Sequence, residues 1–92
     1  LKGNELDQLH AALGGGWQVI DEHHLEKSYR FQDFQAALDF TNQVGALAEQ
    51  VDHHPEICLT WGAAQVKIWT HSVGGLSKAD FIFAARCDQF IR

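Results

Sequence analysis

A chain of 92 residues, 46% of them hydrophobic, has the length of one domain and enough apolar side chains for a core, though a thin one for a solitary monomer. Its net charge of -5, with seven Lys and Arg scattered along it, supplies no basic stripe and argues against a nucleic-acid function. No apolar run reaches the length of a membrane span and the N-terminal stretch lacks a signal-peptide layout, so no membrane association and a cytoplasmic setting are expected.

In chain order, a first helix is expected over residues 4–13, with Asn4 as N-cap, Glu5 and Asp7 in the first turn and Leu6, Leu9 and Leu13 on one face. Gly14, Gly15 and Gly16 end it. Residues 17–20 and 24–31 alternate as strands, Leu25, Tyr29 and Phe31 on one face and His24, Glu26, Ser28 and Arg30 on the other, with a turn at Asp21 and Glu22. A long helix follows over about residues 33–53. Its apolar positions form two stripes, Phe34, Leu38, Thr41, Gly45 and Ala48 beside Ala37, Phe40, Val44, Leu47 and Val51, wider than one sheet requires. The excess points to a partner subunit. Pro55 is the expected stop, since it lacks an N–H and disfavours helical geometry at His54.

Residues 57–61 and 65–70, rich in β-branched and aromatic side chains, are expected to form a hairpin turning at Gly62, Ala63 and Ala64. After the loop at Ser72, Val73, Gly74 and Gly75 comes a last helix, about residues 77–90. Ser77 is its N-cap, Asp80 its capping partner, and Leu76 can staple onto Phe81. The order α-β-β-α-β-β-α predicts an α+β domain over residues 1–92, with an antiparallel sheet covered by helices on one face.

Six histidines in so short a chain invite either metal binding or proton transfer. The densest constellation is Glu49, His53, His54 and Pro55 at the end of the long helix. Glu49 and His53 are four apart, on one helical face, and the spacing predicts a carboxylate–imidazole pair. The bland alternative is a polar helix end with exposed histidines. His71 closes a strand before a glycine loop, a place where reactive side chains gather. Asp80 is accounted for as a cap alone, and Trp61 either packs inside or offers a flat face to a ring-shaped ligand.

Metal spacings are missing: His23-His24 and His53-His54 are adjacent, and Cys58 and Cys87 form no Cys-x-x-Cys. The glycine run is no phosphate loop, and no nucleophile motif is present. The lone cysteines also speak against a disulfide framework.

The run Glu49-Gln50-Val51-Asp52-His53-His54-Pro55, with Trp61, His71 and Asp80 after it, resembles the active-site signature of the pterin-4a-carbinolamine dehydratases. Gly16-Trp17, the stretch from Tyr29 to Phe34 and that from Thr70 to Ser77 are also similar to the family, so the resemblance spans nearly the whole chain. It departs at Gly62, where the family often has Asn. The resemblance implies a four-stranded antiparallel sheet with helices on one face, assembled as homodimers or homotetramers. It implies dehydration of a 4a-hydroxytetrahydropterin to quinonoid dihydropterin with no cofactor and no metal, linked to an aromatic amino-acid hydroxylase that uses the recycled pterin. By the same resemblance His53, His54 and His71 are catalytic, with His53 and His71 the acid–base pair. Pro55, Trp61, Thr70, Ser72 and Val73 join these histidines in binding the pterin, and Glu49 and Asp80 support them. The alternative is a non-catalytic dehydratase-like binding or assembly protein.

Overall fold

The computed structural model describes residues 3–91. Its elements are α1 (Gly3–Ala12), β1 (Gln18–Ile20), β2 (His24–Arg30), α2 (Phe34–Val51), β3 (Glu56–Thr60), β4 (Ala63–Ile68), a 3-10 turn (His71–Val73) and α3 (Lys78–Asp88). The order is the predicted one. The four strands form an antiparallel sheet in the order β1-β2-β4-β3. Alternation decides its sides: Leu25, Tyr29, Ala64, Val66 and Ile68 are buried beneath the helices, and Glu26, Ser28, Gln65 and Lys67 face away from them. α2 lies over β3 and β4, α3 over β2, and α1 against α3. Each fully buried Leu, Ile or Phe of this core contributes about 1.5–3 kcal/mol.

Several boundaries differ from expectation for local reasons. α1 starts at Gly3, so Asn4 sits inside the first turn instead of capping it. α2 ends at Val51, well before Pro55. Asp52 adopts the left-handed conformation (φ 53°, ψ 48°) and its N–H returns to the Ala48 carbonyl. Aspartate tolerates that conformation better than most residues, so the helix closes without glycine. The β3–β4 hairpin turns at Trp61 and Gly62, because Ala63 and Ala64 pair with Thr60 and Leu59 on one side and with Arg30 and Tyr29 on the other. α3 stops at Asp88, and Gln89 and Phe90 continue only as a turn.

The two stripes of α2 separate. Ala37, Phe40, Val44 and Leu47 are buried on the sheet together with Ala48, whereas Phe34 and Val51 stay exposed and Leu38, Thr41 and Gly45 are half-covered.

Lys27 is the one charged side chain at an inward position of β2, between Leu25 and Tyr29. Asp88, at the last position of α3, makes this tolerable. Its Oδ1 lies 2.9 Å from Lys27 Nζ and accepts the Tyr29 hydroxyl at 2.5 Å, and the Trp17 indole N–H donates to both carboxylate oxygens at 3.2 Å. A carboxylate at a helix C-terminus opposes the dipole, and these donors offset the penalty. Burial, helped by the bond to Asp88, pushes the Tyr29 hydroxyl far above its ordinary value of about 10. Burial also pushes the Cys87 thiol up, to about 12, and both Cys87 and the exposed Cys58 are free.

The sign of the Tyr29 effect fixes a pH window. Below about pH 10 folded and unfolded chains both hold the phenolic proton, and its stabilisation is complete. Above that pH only the unfolded chain releases it, so stability falls. Urea unfolding of the wild type and Tyr29→Phe should show the wild type ahead at neutral pH, with the gap shrinking by up to ~1.4 kcal/mol per pH unit above about pH 10. A gap that does not vary with pH would show that the hydroxyl is not held as described.

Candidate active site

The start of α3 organises the site. Ser77 precedes the helix in extended conformation, and Asp80, in the first turn, accepts the Ser77 backbone N–H on Oδ2 at 2.8 Å. The same oxygen accepts the Thr70 hydroxyl at 2.9 Å, and Ser77 Oγ donates to Thr70 Oγ1 at 2.7 Å. Thr70 is placed by a tight loop after β4, in which it pairs with Gly75 and Gly74 takes a positive φ of 64°. The other oxygen, Oδ1, accepts from His53 Nε2 at 2.6 Å. Asp80 is 0% exposed, and a buried carboxylate is tolerable only when its oxygens are bonded in this way. The expected cap and the expected support of a histidine are therefore one carboxylate, used on both sides.

The bond to Asp80 puts the proton on Nε2 of His53. In the neutral ring Nδ1 then carries the lone pair, and it has no protein partner among the described residues. The ring stands edge-on to Phe83, with centroids 5.9 Å apart, and borders a cavity of about 150 Å³ lined by Leu47, Val51, Ala79, Ile82, Phe83 and Arg86. The side chain is 18% exposed, so the imidazole is held yet reachable.

Glu49 does not meet His53. Its Oε2 lies 2.5 Å from His54 Nε2, a pair open to solvent on both sides. The expected i, i+4 pairing requires the helix to continue through residue 53, and the left-handed Asp52 turns the chain before that point.

His71 opens the 3-10 turn and is exposed, as are Ser72 and Val73. Its ring packs on Trp69, with centroids 4.7 Å apart, and Trp69 also meets His23 at 5.2 Å and His24 at 5.9 Å. Among the described residues no hydrogen bond or ring contact joins His71 to His53 or His54. The link is through the backbone, since Thr70, the neighbour of His71, shares Asp80 with His53. Pro55 is half-buried, and Trp61 is 69% exposed at the β3–β4 turn. Sequence reasoning missed Trp69 and Phe83. Trp69 was within reach, because a residue two before His71 on a strand shares its side; Phe83 required the tertiary fold. Among the described residues no group of three or more His, Cys, Asp or Glu side chains is placed to hold a metal ion, and no helix is long and apolar enough to cross a membrane.

The family model for pterin 4 alpha carbinolamine dehydratase matches residues 1–90. The chain belongs to that family. A Rubrobacter xylanophilus protein named "Putative pterin-4-alpha-carbinolamine dehydratase" is 53% identical over 89 residues, covering 97% of this chain and 82% of the relative. One of the same name from Alkaliphilus metalliredigens is 42% identical over 89 residues, with 97% and 80% covered. A crystal structure described as a transcriptional coactivator/pterin dehydratase from Brucella melitensis superposes with a TM-score of 0.93 at 31% identity, covering 100% of this chain and 98% of that one. A pterin dehydratase-like RuBisCO assembly factor of the alpha-carboxysome shares the fold, with a TM-score of 0.70 over 80% of this chain and 87% of that one, at 22% identity.

The bonds that converge on buried Asp80 make it costly to remove from this dehydratase-family fold. Asp80→Ala strands the Ser77 N–H, the Thr70 hydroxyl and the His53 N–H together, and should lower unfolding free energy by on the order of 3 kcal/mol. Glu49→Ala, which breaks only a solvent-exposed pair, should leave stability nearly unchanged. Equal urea midpoints for the two variants would contradict the role given to Asp80.

Proposed function

We propose that this chain dehydrates a 4a-hydroxytetrahydropterin to the quinonoid dihydropterin by histidine general acid–base catalysis, returning a pterin cofactor to the aromatic amino-acid hydroxylase that consumed it. The observation that carries this reading is the His53 imidazole fixed through Nε2 on buried Asp80, in a chain matching the dehydratase family over residues 1–90.

In the reaction the bond from C4a to its hydroxyl breaks, an acid gives that hydroxyl a proton so that it leaves as water, and a base removes a proton from the adjacent ring nitrogen. His53 suits the base. Its Nδ1 lone pair is available, and Asp80 stabilises the imidazolium that forms when the proton is taken. His71, exposed on the 3-10 turn, is assigned as the acid that protonates the leaving hydroxyl. Exchange with solvent resets both rings. His54 binds and orients the pterin beside Pro55, and Trp61 offers its open face to the ring system. Ser72 and Val73 line the approach from the 3-10 turn. The Thr70 hydroxyl is already committed to Asp80, so Thr70 acts by holding that carboxylate. The chemistry uses protons alone and requires no metal or cofactor.

A cytoplasmic homodimer or homotetramer is part of this reading. The exposed Phe34 and Val51 of α2, and the open edge of β3, support assembly.

Stopped-flow dehydration of freshly generated carbinolamine tests the reading. His53→Ala and His71→Ala should each lose about 10²–10⁴-fold in rate while remaining folded, and exhaustive chelation should leave the wild-type rate intact. Near wild-type rates in both variants would overturn the acid–base assignment, and turnover lost on chelation and restored by zinc or iron would overturn the metal-free chemistry.

A further inference from the structure

An acid–base group must be held close to the proton it moves, and displacement by about 1 Å can cost on the order of 10²-fold. His53 is held by Asp80. Among the described residues His71 has no such bond: it is exposed on a three-residue turn, and its ring packs on that of Trp69, 4.7 Å away and tilted by 43°. Trp69 follows Ile68, whose side chain is fully buried, so alternation sends the indole to the side of the sheet that carries no helices. There it is braced by His23 and His24, whose centroids lie 5.2 and 5.9 Å from it. The brace is itself tied together, with the two Nδ1 atoms 3.1 Å apart and His24 Nε2 3.4 Å from Glu26 Oε1. His23 comes from the β1–β2 turn and His24 is the first residue of β2.

We propose that Trp69, braced by His23 and His24, is a positioning residue that fixes the imidazole of His71. The two acid–base groups are thereby set from opposite sides of the sheet, His53 by a carboxylate beneath the helices and His71 by an indole on the bare face. The proposal rests on the dehydratase reading.

Stopped-flow rates of four proteins decide it: wild type, Trp69→Ala, His71→Ala and the double variant. Trp69→Ala should lower kcat by about 10–10²-fold with KM little changed, since the indole acts through His71 and not on the pterin. Trp69→Phe, which keeps a ring, should recover most of the loss. On a His71→Ala background the Trp69→Ala change should cost nothing further, because the group it positions is gone. General loosening of the fold would instead lower activity on both backgrounds, and additive losses, or a wild-type kcat in Trp69→Ala, would overturn the proposal. The ring-proton NMR shifts of His71 give a second readout that needs no turnover. They should move towards free-histidine values in Trp69→Ala and less so in Trp69→Phe, and unchanged shifts would overturn the contact. A wild-type chain that fails to dehydrate carbinolamine would therefore sink the dehydratase reading and leave the positioning claim to the NMR result.

Discussion

A carboxylate with no access to water has to be satisfied by the protein, and Asp80 is satisfied by groups from three separate stretches of chain. The Ser77 N–H caps α3, the Thr70 hydroxyl comes from the loop after β4, and the His53 imidazole follows α2. One buried charge thus sets where a helix begins, where a strand ends and which way a histidine points. Asp88 does the corresponding job at the other end of α3, gathering Lys27 and Tyr29 from β2 and Trp17 from just before β1. The two ends differ electrostatically. An anion at the N-terminus is favoured by the helix dipole, and one at the C-terminus is opposed by it. That difference accounts for the cation that Asp88 recruits and Asp80 does not need.

The same arrangement gives the histidines unequal standing. His53 is held, tautomerically defined and partly covered. His54 is paired with Glu49 in open solvent, where such a pair constrains little. His71 is exposed and depends on an aromatic neighbour for its orientation. A dehydratase needs one group that accepts a proton and another that gives one, and environments this different suit two different tasks.

Much of the fold was legible because its signals are local. Alternation in residues 24–31 marked the inward Leu25 and Tyr29, helical spacing marked Phe40, Val44 and Leu47, and the Ser77–Asp80 capping pair marked the start of α3. The errors fell where a local rule was overridden by tertiary structure. Pro55 is a visible stop, yet α2 had already closed on a left-handed Asp52, and with that early end the Glu49–His53 pairing was lost. The turn at Trp61 and Gly62 depends on β2 lying beside Ala63 and Ala64, which no hairpin pattern contains. Asp80 was legible as a cap and as part of the family signature. Its bond to His53, across 27 positions of chain, was not.

The central claim is that Asp80 holds His53 through Nε2 and so presents Nδ1 to the pterin. Long-range ¹H–¹⁵N correlation spectra of the histidine side chains read this directly, because protonated and lone-pair nitrogens of a neutral imidazole resonate far apart. The account predicts that neutral His53 is the Nε2–H tautomer, with Nδ1 the nitrogen that shifts when a dihydropterin is added. A neutral ring protonated on Nδ1, or one averaging between tautomers and indifferent to the pterin, would contradict it.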